Sequence, residues 1–160
     1  MLRVRCDSHL VRELKAMTYI EIGEWHFMQS PAQEVRTAVF VHEQGIAPED
    51  EWDADDATAL HAVLFDVNGQ ALGNARLLNP LANVAKVGRM AVLAHERGHG
   101  YGARLLQALL LEARRRGNKE VRLSAQRTAE GFYASQGFSV YGEPFDEVGI
   151  PHVEMRLSLS

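Results

Sequence analysis

The sequence predicts an α/β fold, an α+β or mixed sheet, and three observations carry that expectation. Two apolar-rich segments, His61 to Val67 and Gln70 to Leu78, flank Asn68-Gly69, the strongest short hairpin signal because both residues tolerate positive φ. Leu105, Leu106, Leu109, Leu110 and Ala113 fall on one face of a helix over 100–116, with Gly117 where a C-terminal cap belongs. Strand-like and helix-like segments alternate without an internal repeat, a low-complexity tract or a long linker, which points to one sheet with helices packed on it.

Met17 precedes the strand-like Thr18-Tyr19-Ile20-Glu21-Ile22, so a single domain over 17–160 is expected, with 1–16 as an N-terminal extension. Ser30-Pro31 reads as an N-cap followed by proline at the first helical position, opening a helix to about Gln44 that Gly45 stops; Val35, Ala38 and Val39 share its buried face. An acidic loop over 48–56 follows, then the hairpin. Ala85 to Leu93 is a third strand with Gly88 and Arg89 in its middle. After the 100–116 helix come a strand over 120–125, a short helix from Thr128 to Gln136 ended by Gly137, and closing strands at 138–141 and 152–159.

Length and composition bound the function. A chain of 160 residues suits one compact domain, and 46% hydrophobic with 24% charged residues is ordinary soluble usage. A net charge of -4 argues against general nucleic-acid binding, which needs a basic face. Cys6 is the only cysteine, no apolar run approaches the ~20 residues that cross a bilayer, and 1–16 lacks the apolar core of an export signal. The expected location is therefore cytoplasmic, with no membrane partner.

The chemistry-bearing segment is Arg97-Gly98-His99-Gly100-Tyr101-Gly102, between a predicted strand and a predicted helix. A helix start carries unpaired N–H groups and partial positive charge, and residues without side chains let an anion come close, so a pyrophosphate fits there. No Gly-Lys-Ser/Thr makes it a nucleotide P-loop, and the strand before it lies mid-chain with no acidic residue ending the next strand. His95 and His99 are four apart but precede the helix that would bring them together, so no metal is expected.

From Met17 onward the chain resembles the GCN5-related N-acetyltransferase (GNAT) family. Arg97, Gly100 and Gly102 match its coenzyme A signature, while Ala129, Phe132-Tyr133 and Gly137-Phe138 resemble a second family pattern, with Gln126 where asparagine is common. Phe40 to Gly45 and Gly149 to Met155 are similar to a little-characterised bacterial branch of predicted acetyltransferases. The resemblance implies a GNAT-like fold, a central and mostly antiparallel sheet flanked by helices, and acetyl-coenzyme A as co-substrate. Met90, Ala91 and Val92 would pair with the pantetheine arm; Arg97, Gly98, His99, Gly100, Tyr101 and Gly102 would hold the pyrophosphate, with Gln126 near the cofactor.

Transfer to an amine needs an uncharged nucleophile, yet a lysine-like amine of pKa ~10.4 is almost wholly protonated near pH 7. A base or water relay is required. The resemblance makes Tyr133 the donor of a proton or hydrogen bond to the departing thiolate. Glu43, at the end of the first helix, and His152 rank together as base, with His61 behind. The partner expected is a small-molecule or peptide amine acceptor, with a homodimer as the candidate assembly. The acidic loop is either a solvated surface or a lure for a cationic acceptor. Two other readings share these residues: Arg36 to Phe40, Glu51, Asp53 and Gly73 to Leu78 faintly resemble acyl-homoserine-lactone synthases, and a catalytically silent acyl-coenzyme A sensor would need the same turn.

Overall fold

The computed structural model describes residues 17–159, so the expected extension over 1–16 lies outside the described residues. An edge strand β1 (Thr18–Glu24) runs directly into helix α1 (Trp25–Arg36), which continues as a π-helix over Thr37–Glu43. A one-turn helix α2 (Pro48–Glu51) and a 3-10 turn (Ala54–Ala57) lead into β2 (Leu60–Asp66), β3 (Ala71–Leu81) and β4 (Val84–Val92). Helix α3 (Tyr101–Arg115), β5 (Glu120–Gln126) and α4 (Glu130–Ser135) follow, then β6 (Ser139–Val140), β7 (Phe145–Glu147) and β8 (Ile150–Ser158). The eight strands form one sheet, ordered β1-β2-β3-β4-β5-β8-β6, with β7 also on β8. Every pairing is antiparallel except β4 with β5.

Two cores sandwich the sheet. On one face α3 buries Leu105, Leu106, Leu109 and Ala113 against Leu64, Leu77, Val87 and Val121. The approach is close: a Cβ at Gly73 of β3 would stand 2.8 Å from Leu105 Cδ1. On the other face α1 packs Met28, Ala32 and Val35, and its π-helical continuation Val39, against Val63, Phe65 and Ala91. Their spacing of four, three and four residues is the helical repeat that the leucines of α3 also follow.

Three details differ from the sequence expectation. The first helix starts at Trp25, so Pro31 sits inside it and is not its first residue. The missing N–H leaves the carbonyl of Phe27, an exposed residue, to water. The hairpin loop spans residues 67–69, with Gly69 alone at positive φ (78°), because Asp66 Oδ1 accepts from the N–H groups of Asn68 and Gln70 and organises a longer turn. A strand, β7, precedes the last one, and the Val148-Gly149 pair, at φ 46° and 77°, turns the chain between them.

The acidic segment is the main correction. Glu51 and Asp56 are buried, and with Asp53 they bind three arginines. Arg36 Nε donates to Glu51 Oε1 and Arg36 Nη1 to Asp56 Oδ1, both at 2.8 Å. Arg76 donates to Asp53 at 2.7 Å and Asp56 at 2.9 Å, and Arg89 reaches Glu51 and Asp53, each at 3.1 Å. The Arg36 guanidinium lies over Trp25 and Trp52, 5.6 and 4.8 Å from the ring centres. His61, the third-ranked base, is wholly buried with Nε2 against the Asp56 carbonyl at 2.9 Å, and burial holds its pKa low. It closes this network and does not reach the cleft described below. A carboxylate left buried without its cation is costly, so Arg36→Ala should lower the unfolding free energy by about 3–5 kcal/mol. Chemical denaturation checks this, with the exposed Glu49→Ala expected to stay within about 0.5 kcal/mol of wild type.

Candidate active site

β4 and β5 pair only from Val84 with Glu120 to Val87 with Leu123. Beyond that point β4 carries a bulge: Asn74 of β3 faces Ala91 while Arg76 faces Gly88, so β4 holds one extra residue. Arg89 takes φ 50° there, and its carbonyl accepts from Asn74 Nδ2 at 3.0 Å. The strands part, and among the described residues the β5-facing edge of β4 past Val87 has no strand partner. A cleft of about 920 Å³ fills the opening.

Of the residues expected to hold a cofactor, Met90, Ala91, Val92, Arg97, Gly98, Gly100, Tyr101, Gly102 and Gln126 line this cleft. His99 does not. Its Nδ1 is 3.0 Å from the Glu96 carbonyl and its ring stacks on Tyr101 at 5.4 Å, so only its backbone belongs to the turn. Gly98 and Gly100 have φ of 85° and 78°, conformations that need glycine, and a Cβ on either would meet nothing within 4 Å. The first bond of α3 runs from Arg104 N–H to the Gly100 carbonyl at 3.1 Å, leaving the N–H groups of Tyr101, Gly102 and Ala103 outside the helical ladder. Gly102 lies under Phe132, 3.5 Å from its would-be Cβ, which brings the start of α3 close to α4.

The candidate catalytic groups separate. Tyr133 lines the cleft from α4, seated edge-on between Phe132 and Phe138, and its hydroxyl has no hydrogen-bond partner among the described residues. Burial pushes its phenol up to about 12. His152 lines the cleft from β8, on the face opposite α3; its Nδ1 lies 2.6 Å from the Ile150 carbonyl and Phe145 stacks on the ring. Glu43 lies outside the cleft, in a shallow hollow beside Leu93 and His95. Arg97 holds it with two bonds of 2.6 and 2.7 Å, which keep its carboxyl below the usual carboxylate range. A carboxylate so paired is a poor proton acceptor, and the π-helix explains its placement. Gln44 N–H reaches back five residues to the Val39 carbonyl at 3.0 Å, and this wide turn carries Glu43 to Arg97 and Gln44 into the cleft, where its Oε1 accepts from Gln126 Nε2 at 2.9 Å.

Sequence reasoning missed Arg89, Asn74 and Glu147. The first two act through a bulge, which has no signature beyond the neighbouring Gly88, and Glu147 reaches the cleft through the overlooked β7. The pair of residues before Ile150, ending in glycine, was the available turn signal.

The profile of the Acetyltransferase (GNAT) domain family matches residues 29–159. A UPF0039 protein of Schizosaccharomyces pombe is 38% identical over 127 residues, 78% of this chain and 84% of its own. The solved structure of an acyl-CoA N-acyltransferase from Pseudomonas aeruginosa superposes with a TM-score of 0.78 at 30% identity, over 88% of this chain and 99% of that one. BjaI, a CoA-dependent acyl-homoserine lactone synthase, superposes at 0.71 with 16% identity, covering 90% of this chain and 84% of that one, a likeness of fold alone. On its sequence match and on the parted strands that end at a glycine turn, the chain belongs to the GNAT acetyltransferase family.

Proposed function

We propose that the chain is an N-acetyltransferase that moves an acetyl group from acetyl-coenzyme A to an amine, small-molecule or peptide, by direct attack in a ternary complex. The observation that carries this reading is the line of the cleft: it begins at the free N–H groups of α3, follows the unpaired edge of β4, and ends between Tyr133 and His152. The turn suits a pyrophosphate, the open edge suits the amides of a pantetheine arm, and the parted strands leave room for the thioester. α3 has no acidic residue in its first turn, so its positive end is available to an anion.

In this reading His152 Nε2 takes a proton from the acceptor ammonium, and the freed lone pair attacks the thioester carbon. As the C–S bond breaks, the Tyr133 hydroxyl donates a hydrogen bond to the sulfur. A phenol near 12 is a weaker acid than a thiol of ~8.5, so complete transfer from Tyr133 is uphill. Its contribution is stabilisation of the thiolate, which is neutralised by the second proton the nitrogen releases. The glycine turn, which lactone synthases ordinarily lack, is the ground for placing the amine reading above theirs.

An acceptor screen with acetyl-coenzyme A that follows free thiol release tests the activity; binding without turnover across a broad amine panel would favour the silent sensor. Gly100→Asp should weaken coenzyme A binding by at least tenfold in calorimetry, and Gly100→Asn, which tolerates positive φ without adding charge, should lose much less. Tyr133→Phe should lower turnover by about 10²-fold with coenzyme A affinity unchanged. Because the phenol stays protonated until about 12, that loss should be constant from pH 6 to 10, measured in single turnovers as well as at steady state.

A further inference from the structure

Among the described residues, the non-glycine positions with positive φ are Asn83 at 64°, Arg89 at 50° and Val148 at 46°. The first two have a local reason. Asparagine tolerates this region, and Arg89 is fixed through its carbonyl by Asn74 and through its guanidinium by Glu51 and Asp53. Val148 has neither. A β-branched side chain crowds its own backbone at such angles, so the conformation is strongly disfavoured for valine. Val148 and Gly149 (φ 77°) form the two-residue loop closed by the Glu147–Ile150 pair, and two positive φ values make it a type I′ turn, for which Asn-Gly is the preferred sequence.

Packing inside the chain does not offset this strain. Val148 is 49% exposed and belongs to neither core. It lines the cleft instead, with Phe40 of the π-helix, Ile46 just beyond it and Ile150 of β8. The polar groups around them are engaged with one another: Gln126 donates to Gln44 at 2.9 Å, His152 Nδ1 lies 2.6 Å from the Ile150 carbonyl, and Glu51 and Asp53 hold Arg89. What Val148 adds to this end of the cleft is apolar surface that the chain does not cover. A strained residue kept at such an opening points to a contact made there with something other than the chain itself.

We propose that Val148 is a specificity-determining residue whose isopropyl group packs against an apolar portion, alkyl or aryl, of the acceptor. The inference rests on the acyltransferase reading and adds to it a residue and a substrate feature. Burial of the valine methyl groups under a bound acceptor supplies the favourable contact that the chain itself does not, and the two-residue turn fixes their place before the acceptor arrives. An acceptor bearing only polar groups leaves them in water and gains nothing from the turn. The position therefore selects by the body of the acceptor, whatever its reacting atom.

Stability and binding should move in opposite directions. Val148→Asn relaxes the turn and removes the isopropyl group, so its melting midpoint should rise by about 2–4 °C. Binding is measured by NMR titration of coenzyme A-saturated protein, with 2-phenylethanol as the apolar probe and 2-methoxyethanol as its polar counterpart. Wild type should bind 2-phenylethanol about tenfold more tightly or better, and Val148→Asn should weaken that probe by about fivefold while coenzyme A affinity stays the same. Val148→Ala, which removes the methyl groups without asparagine's tolerance of positive φ, should lose as much affinity with a smaller gain in stability. A midpoint at or below wild type for Val148→Asn, equal binding of the two probes, or undiminished 2-phenylethanol affinity in either variant overturns this inference alone. Failure of wild type to bind acetyl-coenzyme A overturns the acyltransferase reading beneath it.

Discussion

β4 and β5 run side by side for four residues and then separate, and the separation rests on Arg89. A non-glycine residue at φ 50° costs roughly 1–2 kcal/mol, so something must hold it there. Its carbonyl is held by Asn74 and its guanidinium by the carboxylates of Glu51 and Asp53 and by the Glu51 backbone carbonyl, at 3.0 Å. Those acidic residues are in turn fixed by Arg36 from α1 and Arg76 from β3. Three elements distant in sequence therefore converge on one strained residue, and the opening they maintain is the cleft. Burial raises the Glu51 carboxyl against the pull of Arg89 and Arg36, whereas Asp53, hydrogen-bonded by Arg76 and less deeply buried, is held low. The network is thus most strongly ionic toward the rim, where Arg89 meets the cleft.

How much of this was legible depends on the range of the interaction. The leucine face of α3, its flanking glycines and the second-motif glycine at 137 could be read because helical periodicity and positive φ are local properties, carried by a few adjacent residues. The glycine-turn end of the cleft was legible for the same reason: the whole turn lies within six residues. The acidic loop misled because a run of carboxylates looks solvated unless its cations are known, and those stand at positions 36, 76 and 89. Ser30-Pro31 misled differently, since a strong start signal was overridden by apolar contacts at Met28 and Ala32 that begin a turn earlier. The β7–β8 end of the cleft was least legible, because Glu147 and His152 meet only once the hairpin exists.

The π-helix links the two halves. Its extra residue per turn displaces the end of α1, so that one side chain, Glu43, grips Arg97 beside the glycine turn, and the next, Gln44, meets Gln126 at the end of β5. Arg97 also donates from Nε to the Val92 carbonyl at 3.0 Å, tying the turn to the last residue of β4. With its guanidinium occupied by Glu43, Arg97 contributes a fixed geometry to the donor end, while the anion-attracting part of that end is the run of backbone N–H groups and the helix dipole behind them. Fixed dipoles need no rearrangement when a charged group arrives, and that suits a site that must bind a long anionic donor without collapsing when empty.

The same logic explains why the two protonic groups stand on opposite faces of the sheet. Tyr133 belongs to the apolar core beneath α3, where a neutral phenol is favoured and ionisation is suppressed. His152, equally buried, lies on the opposite face with the part-exposed Glu147 carboxylate 3.5 Å from its Nε2. Were they exchanged, the imidazolium formed by proton capture would have to exist in the apolar core without a counter-charge, and the phenol would lie near carboxylates that compete for its proton. In the proposed transfer, a nucleophile arriving from the His152 side and a sulfur leaving toward Tyr133 would each develop charge beside the group assigned to receive it. In that proposal the thioester would reach across the sheet where β4 and β5 part, beyond Val87 and Leu123.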